Sequence, residues 1–275
     1  MAYPAENGQT TISHRFAVMS NADDLTAAAL AQALMDEYYE NPSRRRSSMR
    51  ALFNRSARHY DKVNQIFSLG SGAWYRRSCL RRAGVRPGVK VVDVAVGTGL
   101  LAREALRLTG ERASVIGVDI SEAMLEIAQC HLAISLVQAS AEALPLAPDI
   151  ADFVTMGFAL RHVADLKLVF SEALRILRPG GSIIVLEISA PRNRLYRAAA
   201  AAFIGFMVPL LALLMTRDAR ARALMQYHWR TILRYMPTDA VLRVMVECGF
   251  DKVTCASDFD LFHCYKGTKP AIEVE

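Results

Sequence analysis

"VVDVAVGTGLLA", Val91–Ala102, is the stretch that decides the fold. Val91, Val92, Val94 and Val96 make a run that is apolar on both faces, as in a parallel strand covered by helices on either side. Gly97-Thr98-Gly99 breaks that run, and Leu100, Leu101 and Ala102 open a helix. A strand, a glycine turn and a helix in that order present backbone N–H groups to a ligand beyond the carboxyl end of the strand. Glycine at 97 and 99 removes side chains that would hold the ligand away.

The alternation continues outward. "SVIGVDI" (114–120) reads as a strand and "SEAMLEIAQCHL" (121–132) as a helix with Ser121 as its N-cap. "ISLVQAS" (134–140) and "ADFVTMGFAL" (151–160) read as strands, and "LKLVFSEALRILRPGG" (166–181) as a helix ended by Pro179 and two glycines. "SIIVLEIS" (182–189) reads as a strand, 238–248 as a helix, and "KVTCASDF" (252–259) with "LFHCYKG" (261–267) as a closing hairpin. Continuous apolar strands separated by helices imply an α/β fold with a mostly parallel sheet. Upstream, Leu25, Ala29, Leu34 and Tyr38 have helical spacing within 22–41, and "PSRRRSS" (42–48) reads as a linker or the basic start of a helix.

Bulk properties bound the function. A chain of 275 residues allows one large domain with an attachment, and 52% apolar with 22% charged residues is a globular balance. Cysteines 79, 130, 248, 255 and 264 form no CxxC pair and no even framework, which favours a reducing compartment. The start "MAYPAENGQTT" lacks a basic stretch followed by an apolar one, so a cytoplasmic protein is expected. The net charge of +6 is uneven: residues 192–236 carry eight arginines against Asp218 alone. They bracket Ala198–Met215, which holds no charge.

The ligand can be narrowed. Gly97 to Ala102 matches the dinucleotide pattern GxGxxA, and Asp119, 20 residues after Gly99, can accept both hydroxyls of a ribose. Asp93, four residues before Gly97, would repel a pyrophosphate. It suits a ligand with an ammonium and a sulfonium. "QASAEALPL" (138–146) follows the third strand, where an adenine edge would be read, and "LRPGG" (177–181) leads into the fifth. Four separated motifs in this order resemble those of class I S-adenosylmethionine-dependent methyltransferases, whose Rossmann-like sheet has seven strands with helices on both faces.

A closer similarity covers roughly 51–267. "RSARHYDKVNQIFSLGSGAWYRR" (55–77), through Tyr60, Asp61, Asn64, Ser68, Gly70 and Trp74, resembles the ubiquinone/menaquinone-biosynthesis C-methyltransferase family. So do "VTMGFALRHVAD" (154–165), through Phe158, Leu160 and Arg161, and "YHWRTILRYMP" (227–237). The resemblance implies a methyltransferase domain over 51–267 with a helical cap inserted at about 192–236. It leaves 1–50 as an N-terminal extension, partly helical or disordered, and 268–275 as a tail. It implies S-adenosylmethionine as cofactor, held by Thr98 and Gly99 at the methionine part, with Asp93 and Gly97 beside them. Asp119 would bind the ribose, with Ile120 and Met124 near it, and Ser140 and Ala141 the adenine. Gly157 would approach from the fourth strand, and Tyr60 would close over the cofactor. Three positions depart from the family: Val96 in place of Gly or Cys, Ser140 in place of Asn or Asp, and His162 in place of Asn.

Methyl transfer from a sulfonium needs desolvation and an in-line nucleophile about 3 Å away, and no metal is expected. For ring C-methylation the acceptor is a phenol. Arg161 would stabilise its oxyanion, and His162 is either a general base or a wall residue. The apolar run 198–215 is read as a cap touching an anionic membrane surface through its arginine flanks, ahead of a core helix or a true span, for which about 20 residues are needed. The partners expected are a small or lipidic aromatic acceptor, such a membrane surface and a second copy of the chain. Nucleic acid is not expected, because the basic residues bracket an apolar run with no interleaved aromatics. Two further readings stand beside quinone-precursor methylation: an O- or N-methyltransferase of another small molecule, and a cofactor-binding protein without transfer activity.

Overall fold

The structure, a computed structural model, describes residues 45–217 and 219–271. The helix expected over 22–41 lies outside them. The first described element is α1 (Arg45–Ser68), a 24-residue helix. It buries Met49, Leu52, Val63 and Ile66 against the later cap. The boundary expected at residue 51 falls inside this helix. Helix α2 (Gly72–Ala83) follows, ended by Gly84 in the left-handed conformation.

The core is a seven-stranded sheet in the order β3-β2-β1-β4-β5-β7-β6. Its strands are β1 (Val91–Val94), β2 (Val115–Asp119), β3 (Ser135–Gln138), β4 (Ala151–Gly157), β5 (Leu177–Ile188), β6 (Asp251–Asp258) and β7 (Phe262–Thr268). The first five run parallel, and β7 is antiparallel between β5 and β6. Strand order reverses at β1 and β4, so the crevice beyond their carboxyl ends is where a ligand is received. Helices α3 (Leu100–Thr109), α4 (Glu122–His131), α5 (Leu166–Ile176) and α9 (Thr238–Glu247) connect the strands. Val92, Val94, Val154, Met156 and Ile183 pack with Phe170 and Ile176 in one core cluster. Val91, Ile184 and Leu186 pack with Leu101 and Ala105 in another.

Two boundaries differ from the sequence reading. Helix α5 stops at Ile176, and "LRPGG" is the start of β5, not the end of the helix. Pro179 disfavours helical backbone at Arg178, and the segment pairs instead: Gly180 N–H donates to Lys269 O, and Lys269 N–H to Gly181 O. Strand β4 ends at Gly157 because Phe158 takes φ +60°, and Leu160–His162 form a 3-10 turn.

The cap lies between β5 and α9. It comprises α6 (Arg194–Ala200), a π-helical stretch (Ala201–Met207), α7 (Val208–Thr216) and α8 (Ala219–Arg234). Arg194–Met215 is a continuous apolar helix of 22 residues, long enough to cross a membrane, with 28% of its most apolar window buried. Ala200, Ile204, Val208 and Ala212, spaced by four, form its buried stripe. Leu195, Phe206, Met207, Leu210, Leu214 and Met215 remain exposed. The wide π turn accommodates Pro209, whose ring clashes with the carbonyl four residues back in a regular helix. Gly205 sits in that turn because a Cβ there would lie 2.8 Å from the Trp229 indole nitrogen on α8.

Candidate active site

The crevice beyond β1, β2 and β4 holds three adjoining cavities. The two nearest the sheet are small. One, about 110 Å³, is lined by Gly97, Asp119, Ile120, Met124, Ser140, Ala141 and Gly157. The other, about 30 Å³, is lined by Arg76, Asp93, Gly97, Thr98 and Gly157. The third, about 560 Å³ and mostly apolar, lies under the cap. Tyr60 and Phe158 border all three.

The sheet side is built largely from backbone. Asp119 ends β2, and its carboxylate accepts from Gly97 N–H and Ser121 N–H, both at 2.8 Å. It thereby ties the glycine turn to the start of α4. Burial pushes its pKa up, against the pull of those N–H groups. Each carboxylate oxygen has two lone pairs, so ribose hydroxyls can still be accepted. Ser121 caps α4 as expected, accepting from Met124 N–H at 3.3 Å.

Asp93 is buried in β1. One carboxylate oxygen accepts from Thr155 Oγ1 at 2.6 Å and the other has no partner. Burial raises its pKa to about 7. A buried carboxyl with one unpaired oxygen costs stability unless a cation or a donor reaches it. Across the same small cavity stands Arg76 from α2, mostly buried, its guanidinium over the Phe158 ring and 3.4 Å from Asn64 Oδ1. Burial lowers the Arg76 pKa. A carboxylate facing a guanidinium fits a zwitterion, and the methionine part of S-adenosylmethionine is one. The residues present therefore fit this cofactor.

Three of these positions make close contacts within the protein. Gly99 lines none of the cavities; it caps α3 at φ +87°, a left-handed conformation that favours glycine, and packs against Leu132. Val96 lines the 30 Å³ cavity and also packs over Gly117, where a Cβ would meet it at 3.0 Å. Thr98 is held by donating to Asp61 at 2.5 Å, which fastens α1 to the glycine turn. A second fastening is Asn54, whose Oδ1 accepts from Ser121 Oγ at 2.5 Å.

Arg161 and His162 separate. Arg161 lines the large cavity, buried, with its guanidinium in an ion pair with Glu187 of β5. Glu187 is fully buried and also accepts from the Arg161 N–H at 3.3 Å. The pair fixes the guanidinium and cancels its net charge. His162 lines the 110 Å³ cavity instead. Its Nδ1 is 3.1 Å from Tyr227 Oη, and its ring stacks on Tyr227 and meets Phe53 edge-on. Sequence reasoning gave no site role to Glu187, Arg76, Asp61 or His228, the last a cavity-lining residue of α8. The signal for Glu187 was a lone acid inside an apolar strand. Among the described residues no group of three His, Cys, Asp or Glu could hold a metal.

The comparisons agree with this geometry. The profile of the ubiE/COQ5 methyltransferase family matches residues 41–260. The ubiquinone/menaquinone biosynthesis C-methyltransferase UbiE of Shewanella frigidimarina is 33% identical over 209 residues, 74% of this chain and 82% of that protein. Its namesake from Shewanella piezotolerans is 31% identical over 226 residues, 79% of this chain and 89% of its own length. A solved S-adenosylmethionine-dependent methyltransferase of Aquifex aeolicus superposes with TM-score 0.54 at 13% identity, over 76% of this chain and 97% of that one. The chain belongs to the ubiE/COQ5 methyltransferase family and is a class I, S-adenosylmethionine-dependent methyltransferase.

Proposed function

We propose that the enzyme C-methylates the aromatic ring of a lipidic quinone precursor. The observation that carries this reading is the 560 Å³ apolar cavity that meets the cofactor cavities at Tyr60 and Phe158. The names of its relatives point the same way. When bound, S-adenosylmethionine supplies an electrophilic methyl group. Asp119, Ile120, Met124, Ser140 and Ala141 hold its nucleoside, and Asp93, Arg76, Gly97 and Thr98 its methionine part. Tyr60 and Phe158 keep water from the boundary where the methyl crosses. Arg161, fixed by Glu187, directs hydrogen bonds at the acceptor. His162, tied to Tyr227, is a wall of the cofactor cavity. Residues 1–50 as extension, 51–267 as the methyltransferase domain, 192–236 as its cap and 268–275 as a tail remain our division of the chain.

The mouth suits an acceptor drawn from a bilayer. Leu69, Trp74 and Phe259 line the large cavity and are each more than 70% exposed. Arg194, Arg197, Arg217 and Arg222 are exposed along the cap. An exposed apolar face with basic flanks favours an anionic lipid surface over a second copy of the chain, which would bring like charges together. This reading gives the protein peripheral contact with a membrane surface.

The assay is methyl transfer to a prenylated hydroquinone that lacks the ring methyl, read by mass spectrometry of the product. A methyl on ring carbon supports the reading, and a methyl on oxygen or nitrogen overturns it. Vesicles of anionic lipid should bind the protein more tightly than neutral ones, and less as salt rises. Dimerisation in solution without vesicle binding would assign the exposed face to a second copy.

A further inference from the structure

The large cavity contains an imidazole with nothing to bond to. His228 lies on α8, lines the cavity, and has its Nε2 buried without a hydrogen-bond partner. The groups facing it are Tyr60 from α1, with ring centroids 6.5 Å apart, and His162 from the turn after β4, at 5.9 Å. Arg161 stands on the same turn, and Tyr227, next on its own helix, has its ring centroid 5.9 Å away. Burial first, and then the Arg161 cation, push the His228 pKa down to about 3. A neutral imidazole carries one N–H and one bare nitrogen, and with the proton on Nδ1 the unpaired Nε2 is an acceptor. A buried acceptor left unpaired is destabilising, and such groups persist where a ligand completes them. The rest of the cavity wall is mostly apolar, so the missing partner is an O–H on an otherwise apolar ligand. Tyr60, against which His228 packs, also borders the cofactor cavities.

We propose that His228 accepts the hydroxyl proton of the ring being methylated, and is both the general base and the hydroxyl-selecting group of the acceptor cavity. The proposal rests on the ring-methylation reading above. As the ring carbon bonds to the methyl group, the methyl–sulfur bond breaks with its electron pair left on sulfur. The ring hydroxyl loses its proton to Nε2, and the O–H pair becomes the C=O of a cyclohexadienone. The ring carbon then loses its hydrogen as a proton to water, the electrons restore the ring, and His228 returns its proton to the oxygen. The sum is one methyl gained and one proton released. A weak base suffices because the hydroxyl turns strongly acidic as the carbon–carbon bond forms, so its proton leaves late in that same step. The required tautomer carries its resting proton on Nδ1.

The test uses the full chain, S-adenosylmethionine and 2-geranyl-1,4-dihydroxynaphthalene kept reduced. His228→Phe retains ring volume and should lose about a hundredfold in kcat, with S-adenosylhomocysteine affinity, measured by calorimetry, within twofold of the parent. Its residual rate should climb with pH as the hydroxyl ionises unaided, while the parent stays level from about pH 6 to 8. His228→Ala should recover at least about tenfold with added imidazole. Turnover of His228→Phe within a few-fold of the parent overturns the proposal. So does a loss that neither imidazole nor alkali restores while cofactor affinity is intact. If the parent binds S-adenosylhomocysteine but does not methylate this ring, the ring-methylation reading fails by itself. Binding then decides the role of His228: the parent should hold the dihydroxy compound at least about tenfold tighter than its dimethyl ether, and His228→Phe should not. Equal binding of the two compounds by the parent overturns it.

Discussion

Two sides of one crevice meet at Tyr60, and they are made differently. The sheet side takes its shape from strand ends and backbone: Asp119 holds Gly97 and Ser121 by their N–H groups, and Gly157 and Ala141 contribute little but main chain. The cap side takes its shape from long side chains converging from α1, α2, the turn after β4, the π stretch and α8. The sheet side can hold one ligand in one register. The cap side has an interior set by packing between distant segments, where a single side chain, such as His228, decides what is accepted. A conserved cofactor beside a variable acceptor is the division of labour that this construction supports.

The largest expected effect tests how far the cap side depends on its buried ion pair. Glu187→Ala leaves Arg161 as a buried charge without its carboxylate, and should cost about 3–5 kcal/mol of stability, read as a lower midpoint in denaturant. A loss under about 1 kcal/mol would mean that Arg161 reaches solvent or another acid. On the sheet side Asp119→Ala removes a charged acceptor for the ribose and should weaken S-adenosylmethionine binding by about 1.5–3 kcal/mol, tenfold to a hundredfold. Calorimetry on the folded variant gives the value, and unchanged affinity would refute the assignment of the nucleoside to that cavity.

The two sides should also respond oppositely to pH. Asp93 titrates near 7 in the fold against 3.8 ordinarily, so its contribution to stability is lost as pH rises between those values. His228 titrates near 3 against 6.5, so its contribution is lost as pH falls between them. From about pH 4 to 6.5 the slopes cancel, each being at most about 1.4 kcal/mol per pH unit. Asp93→Asn should therefore grow more stable relative to the parent as pH rises through that range, and His228→Phe less. Parallel curves for either variant and the parent would place that group in water. The smallest effect belongs to the boundary: His162→Asn should keep turnover within a few-fold and leave the pH profile in place, because Tyr227 and Phe53 hold the ring as a wall. A lost acidic limb in that profile would make His162 a base.

The sheet side was legible because each of its motifs is contiguous. Asp93 and Gly97 share one strand and turn, Asp119 ends the next strand, and Ser140 and Ala141 follow the third, so strand order alone brings them together. Gly99 packs against Leu132, 33 residues away, a contact that the glycine motif does not announce. "LRPGG" looked like a helix end because Pro179 and glycine stop helices, yet extended backbone and pairing with Lys269 satisfy the same residues. Arg76 and His228 stood inside quoted motifs, but neither α2 nor α8 carries a pattern that says which of its polar residues turns inward. Only packing against Phe158 and Tyr60 settles that.

Helix α1 fastens the cap to the sheet: Asp61 receives the Thr98 hydroxyl, and Met49 Sδ receives that of Tyr227 at 3.2 Å, 178 positions later in the chain. During synthesis α1 leaves the ribosome long before α8 exists. Contacts of such sequence separation form late and close slowly. Until then the apolar face of α1, through Leu52, Val63 and Ile66, has nothing to cover it. The acceptor cavity is thus among the last parts of the enzyme to be completed, and an incomplete chain exposes a greasy helix for chaperones or aggregation to capture.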